Sequence, residues 1–294
     1  MSSIRVARRT ELSDRLWRGA EDLVWFGFKE AIACAMPLGF FAILAFTRVV
    51  DIPGLARYDA VLLLAIALQV ALVATGFETW ADVKVAARFH LLGLILELFK
   101  THPAVGSWSY PETAVAKLGT VPLYSGFMYA AVASYMIAAW RLLRLRFTNY
   151  PAPWVCWAIA AAVYLNFFTH HWGPDLRWVL IAAVVAVFGR TRVHFRPRAT
   201  ERWMPVPVAF GLIAFFVWLA ENLSTFLGAW IYPDQAARWE VVSLGKLSSW
   251  SLLVIVSFVI VGEVMRRRHG LHDAPPRRVR GPGWRRLSAI LTGT

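Results

Sequence analysis

VAARFHLLGLILELF, residues 85–99, is the stretch on which the reading of this chain turns. It is apolar along most of its length, yet it carries Arg88, His90 and Glu97. A membrane-spanning helix needs about 20 mainly apolar residues, and ionisable groups inside one are expensive. Counted as a span, the stretch joins seven other apolar runs, at 31–50, 60–77, 119–140, 153–168, 176–189, 204–220 and 241–261. The run 176–189 is also doubtful, being short enough for a buried or re-entrant segment. Charge decides between the counts. With all eight runs crossing and the N-terminus inside, only Arg48, Arg57, Lys100, Lys117, Arg177, Arg238 and Lys246 of the 31 Lys and Arg residues lie at outer helix ends or in outer loops. Short inner loops rich in Lys and Arg are what sets orientation in membranes. Dropping either doubtful run puts basic loops on opposite sides. The sequence therefore predicts an all-α, polytopic transmembrane bundle of eight spans in the cell's inner (plasma) membrane, with both termini cytoplasmic.

Composition agrees. Of 294 residues, 58% are hydrophobic and 17% charged, with a mean hydropathy of +0.52; soluble domains carry about 45–50% apolar and about 25% charged residues. A net charge of +13 would suggest nucleic acid in a soluble protein. Here the inner loops account for it, and no nucleic-acid partner is expected. Cys34 and Cys156 sit in apolar runs, outside any CxxC or disulfide pattern, and no cleavable signal peptide is visible. The chain divides into a cytoplasmic amphipathic segment (1–30), the bundle (31–263) and a basic tail (264–294) rich in Pro, Gly and Arg. In the first segment Leu12, Leu16, Trp17, Leu23 and Val24 are set against Arg9, Arg15 and Arg18, the pattern of an interfacial helix. The expected partners are membrane lipids, with anionic headgroups at the basic termini.

The bundle repeats itself. GSWSYPE at 106–112 returns as GAWIYPD at 228–234, each after a run that carries a glutamate, Glu97 or Glu221, and each before a Leu-Gly pair, Leu118-Gly119 or Leu244-Gly245. Four spans separate the copies, so both lie outside and point the same way. That predicts a parallel duplication of four plus four helices, with halves at about 31–140 and 153–263. Within each copy the Pro forbids helix, the Gly permits a tight turn, and Trp and Tyr combine an apolar body with a polar tip. The loops are expected to fold back on the helix ends as lids.

The candidate chemistry gathers at this outer end. Glu97 and Glu221 are the candidate catalytic acid and base, because intramembrane carboxylates default to function and two of them in a poorly hydrated cleft suit acid/base work. Trp108, Tyr110, Trp230, Tyr232, Lys100, Lys246 and Asn166 are candidate substrate-binding residues. His102, His170 and His171, with the two glutamates, form a candidate divalent-metal set, since imidazole and carboxylate suit zinc or iron; HExxH, ExxH and HxxxH are all missing. Two plainer readings stand beside these. The histidines are hydrogen-bonded at the interface, and Glu97–Lys100 and Glu221–Lys246 are simple salt bridges. At the inner end, Glu78, Asp82, Lys84, Arg88 and His90 read as an ion network. Nothing resembles a P-loop, a GxSxG elbow or a Rossmann fingerprint, which leaves ATPases, serine hydrolases and nicotinamide enzymes without support.

The runs HPAVGSWSYPE, KLGTVPLYSGFMYA and ENLSTFLGAWIYPDQ resemble the YoaT-like bacterial integral membrane family, catalogued as domain-of-unknown-function family 817; the likeness covers about residues 20–265. It implies a polytopic membrane protein and supplies no activity. A fainter likeness, over some 40 residues, is to membrane-integral carotenoid hydratases, in the order Glu97, Gly106, Trp108, Tyr110, Leu118-Gly119 and Val121-Pro122-Leu123, with Trp108 where that pattern has Tyr. It implies acid-catalysed addition of water to an isoprenoid double bond. The sequence thus points to a membrane enzyme acting on a lipid or isoprenoid at the outer leaflet. A small-solute transporter, suggested by the repeat, and a non-catalytic accessory protein are the alternatives.

Overall fold

A computed structural model describes residues 2–269, with side chains from 17 to 267. Its helices are α1 (Ser2–Ala33), α2 (Ala35–Val49), α3 (Arg57–Ala74), α4 (Trp80–Lys100), α5 (Ser125–Leu142), α6 (Pro153–Thr169), α7 (Arg177–Phe188), α8 (Val206–Phe226) and α9 (Lys246–His269). The basic tail from 270 on, with its expected lipid contact, lies outside the described residues, as do the side chains at the start of the amphipathic segment. The backbone of that segment is helical and runs straight through the expected boundary at residue 30. The break comes at Cys34, where α1 and α2 meet at 61°. Pro37 explains it: without an N–H it leaves the carbonyl of Ala33 unbonded, and its ring crowds the preceding turn.

Among the described residues three helices are long and apolar enough to cross a membrane, α3, α8 and α9, or four if the bent α1–α2 pair counts as one span. That is fewer than the eight expected. The apolar helices α6 and α7 have only 17 and 12 residues. Helix α4 carries Asp82, Lys84, Arg88, Glu97 and Lys100, and α5 dilutes its apolar residues with Ser, Tyr and Arg141. The expectation of an all-α chain also needs amending. The chain is mostly helical, with a hairpin of β1 (Lys117–Leu118) and β2 (Val121–Pro122) and an antiparallel sheet of β3 (Arg146–Thr148), β4 (Arg192–Phe195) and β5 (Arg202–Pro205). Strands of two to four residues are too short to leave an alternating pattern in the sequence.

The packing is organised around two helix pairs, α4 with α5 and α8 with α9, and α9 also packs on α5, α6 and α7. Leu252, Ile255, Val259 and Met265 of α9 are buried in the main core with Ile137, Val163 and Phe188. The α4–α5 contact depends on Gly93, which lies beneath the Tyr129 ring where a Cβ has no room. The end of this pair remote from the GxWxYP loops holds the acids expected in the ion network, with other partners. Glu78 accepts from Gln69 (2.6 Å) and from Ser134. Asp82 closes the N-terminal capping box of α4 with Thr79 and pairs with Arg141 at 3.0 Å.

Candidate functional site

Each GxWxYP loop closes on the glutamate before it. Glu97 stands in the last turn of α4. Its Oε2 accepts from Trp108 Nε1 (2.7 Å) and from the Tyr110 hydroxyl (2.8 Å), and its Oε1 accepts from the Tyr129 hydroxyl of α5 (2.8 Å). Glu221 stands near the end of α8. Its Oε1 is bonded by the Tyr232 hydroxyl and its Oε2 by Trp250 Nε1 of α9. Trp108 and Tyr232 each lie 11 residues beyond their glutamate. The chain reverses at Gly106 (φ +56°) and Gly228 (φ +71°), a left-handed backbone that glycine adopts without strain. The two loops are also joined directly. Ser109 and Ile231 exchange backbone hydrogen bonds of 3.0 Å in an antiparallel bridge, and the Trp108 and Tyr232 rings meet edge-on at 6.3 Å.

Between the pairs lies a cleft of about 320 Å³. Glu221, Tyr232 and Trp250 form one side of it, and Trp108 and Tyr129 separate it from Glu97. Three cations line it, one from each of three helix ends: Lys100 closes α4, Arg177 opens α7 and Lys246 opens α9. Lys100 Nζ lies 2.7 Å from His171 Nε2 and 3.5 Å from His170 Nε2. His170 Nδ1 faces the carbonyl of Asn166 at 2.7 Å; a carbonyl only accepts, so Nδ1 donates there and Nε2 is the nitrogen turned to the ammonium. Burial, then Lys100 and His170, hold the His171 imidazole below its usual range, which favours its Nε2 as an acceptor for Lys100. The ammonium of Lys246 sits 4.2 Å over the Tyr232 ring. Arg177 pairs with Asp175 at 2.8 Å and donates to Ser248 at 3.2 Å.

Several sequence expectations shift here. Glu97 and Glu221 take no ion-pair partner among the described residues, so the Glu–Lys bridges do not form. His102 is exposed, its ring accepting from the Ala104 backbone (3.2 Å), while His170 and His171 turn to a lysine. No three His, Cys, Asp or Glu side chains converge as a metal site needs among the described residues. Tyr110 holds Glu97 away from the cleft, and Trp230 is buried with Tyr58 and Tyr124 instead of lining it. Asn166 lines the cleft, but its amide is engaged in fixing the turn into α7, through Leu176 N (3.1 Å) and Asp175 (3.3 Å). Tyr129, Trp250 and Arg177 were absent from the expected set. The first two carried one usable signal, each being an aromatic in the opening turns of the helix that follows a GxWxYP loop.

Residues 22–258 match a family model described as a protein of unknown function (DUF817). The chain is 48% identical over 247 residues to the uncharacterized protein YoaT of Bacillus subtilis (strain 168), covering 84% of this chain and 93% of that protein. No solved structure matches it. The chain belongs to the DUF817 family.

Proposed function

We propose that this member of the DUF817 family is a membrane-embedded enzyme acting on a lipid or isoprenoid by proton transfer, with Glu221 as the group that gives or takes the proton. One observation carries the reading. A carboxylate seated in apolar surroundings is fixed by two donors, Tyr232 and Trp250, at the wall of a cleft large enough for part of a substrate. A proton-transfer group must reach the substrate directly, and of the two glutamates only Glu221 lines the cleft among the described residues. Glu97 acts as a positioning residue. It holds Trp108 and Tyr129, which do face the cleft. The test uses cells lacking the gene, complemented with wild-type chain or with Glu221→Gln, and compares their lipid and isoprenoid extracts. A species that accumulates in the deletion and in the Glu221→Gln strain, and disappears with wild type, identifies the substrate. Extracts identical in all strains overturn the reading.

The architecture proposed with it is eight crossings in two parallel halves, in the plasma membrane, with both termini cytoplasmic. The basic loops support the orientation. The repeated heptapeptide, each copy closing on a glutamate of the preceding helix, and the in-register Ser109–Ile231 bridge support the duplication. Reporters fused after Tyr150 and after Arg202 are expected to read cytoplasmic, and one at residues 113–117 external. A cytoplasmic signal from the last removes the eight-crossing arrangement.

A further inference from the structure

The cations of the cleft are not needed for proton transfer at Glu221, and their arrangement asks for a ligand of its own. Lys100 and Lys246 have no carboxylate partner among the described residues. Lys100 is reached by two imidazoles, and Lys246 by the face of a tyrosine and, beyond ion-pair distance, by Glu221 and Asp234. The two ammoniums and the Arg177 guanidinium repel one another across the cleft. Arg177 is balanced by Asp175 at 2.8 Å, which leaves the two ammoniums with no carboxylate in direct contact and Glu221 the one acid lining the cleft among the described residues. Helices α7 and α9 both begin at the cleft, and a helix N-terminus favours an anion. Two like charges in a confined, partly apolar space are tolerated when an anion of matching charge sits between them. Deeper in, the wall turns apolar at Leu96, Phe167, Leu252 and Leu253.

We propose that the cleft binds the phosphate head of an amphiphile, with Lys100 and Lys246 on the phosphate oxygens, Arg177 beside them, and the chain of the amphiphile along the apolar wall. A phosphate monoester carries about −1.5 to −2 near neutral pH, which matches the two ammoniums when Glu221 carries the proton it is to give; a carboxylate or a neutral head then leaves one or both uncompensated. The inference rests on reading the cleft as the substrate site and names the substrate's chemical class, a phosphorylated lipid or isoprenoid.

The experiment titrates the full-length chain, purified in a neutral maltoside detergent, by calorimetry. The probes are dodecyl phosphate, dodecanol and inorganic phosphate, each at low and high salt. The expected order has dodecyl phosphate at least tenfold tighter than either other probe, with binding weakened by salt as screening requires. Lys100→Gln and Lys246→Gln are each expected to weaken dodecyl phosphate about tenfold and to leave dodecanol unchanged. Equal binding of dodecanol and dodecyl phosphate overturns the phosphate head, and equal binding of inorganic phosphate overturns the amphiphile. Both outcomes are read on the wild-type chain, so a variant that misfolds does not shelter the proposal. The enzyme reading fails separately. Tight, salt-sensitive binding of dodecyl phosphate with unchanged cellular lipids in the Glu221→Gln strain removes the chemistry and keeps the site. An altered lipid profile with no preference for phosphate does the reverse.

Discussion

Glu97 and Glu221 occupy matching places in two helix pairs, and they differ in what surrounds them. Both are 2% exposed, and both are reached by an aromatic 11 residues downstream. A carboxylate offers about four acceptor sites. Glu97 has three donors on its two oxygens and is shut off from the cleft. Glu221 has two donors and stands at the cleft wall beside Lys246. One copy of the motif is therefore built as a fastening and the other as a site. A buried carboxylate saturated by donors is held in one state; one with acceptor capacity to spare, next to open space, can exchange a proton with a ligand.

The largest effect that would break this comparison is on activity. Glu221→Gln keeps shape and removes the titratable proton, so turnover measured on the compound identified from cell extracts is expected to fall by a factor of roughly 100 or more. The thermal midpoint is expected to stay near wild type. Glu97→Leu is expected to do the opposite. It leaves Trp108 Nε1 and the Tyr110 and Tyr129 hydroxyls without the oxygens they donate to, and an unmet buried donor costs about 1–3 kcal/mol. Stability falls while activity is reduced less than in Glu221→Gln. Exchanged phenotypes would mean that the roles of the two glutamates are assigned the wrong way round.

Smaller, and confined to the scaffold, is a pair of glycine substitutions. Gly93→Ala puts a methyl into the Tyr129 ring that bonds Glu97. Overpacking of this sort costs typically 1–3 kcal/mol, and displacement of Tyr129 loosens the fastening as well. Gly211, on α8 in the other helix pair, has nothing within 4 Å of an added Cβ. Gly211→Ala is expected to be neutral, or stabilising by up to about 1 kcal/mol through helix propensity. Thermal melts of the two variants in detergent check both. Equal losses would show that the close approach at Gly93 does not hold the α4–α5 pair.

The sequence made the glutamates and the loops legible because each is an exception to its surroundings. A carboxylate inside an apolar run and a repeated GxWxYP stand out in a single chain. What it misassigned was partnership. The register of the heptapeptides equates Trp108 with Trp230 and Tyr110 with Tyr232, but the geometry pairs Trp108 with Glu97 and Tyr232 with Glu221, and leaves Trp230 buried among Tyr58, Tyr124 and Tyr232 with no bond to either glutamate. The glutamates are not in the register of the heptapeptides, and two residues of offset on a helix turn a side chain by over half a circle. Lys100 was read against Glu97 and Lys246 against Glu221, whereas imidazoles and a tyrosine ring from other segments reach them. The span count rests on loop charge, which gives a pattern of sides without asking whether each helix is long or apolar enough to cross; by length α6 and α7 fall short of the test that α3, α8 and α9 meet.

The smallest expected effect concerns the turn that supplies Arg177 to the Glu221 side and has no counterpart at Glu97. Burial alone would raise the Asp175 carboxyl. The Arg177 backbone N–H, the Asn166 amide and the Arg177 guanidinium outweigh it and hold the group below its ordinary 3.8. A carboxyl whose affinity for protons is lower in the folded chain than in the unfolded one stabilises the fold at pH values above the unfolded value. That contribution is lost as pH falls through the folded value. Asp175→Asn keeps the shape and removes the titration. The wild-type chain is therefore expected to melt slightly higher than Asp175→Asn at pH 6, with the gap constant down to about pH 5 and closing below 3.8. The gap is small because the side chain is 38% exposed and water screens the pair. Melting curves of the two proteins at pH 6, 5 and 3.5 in one detergent measure it. A gap that does not change with pH would show that Asp175 holds the turn by shape alone, and that Arg177 reaches the cleft without its charge being balanced there.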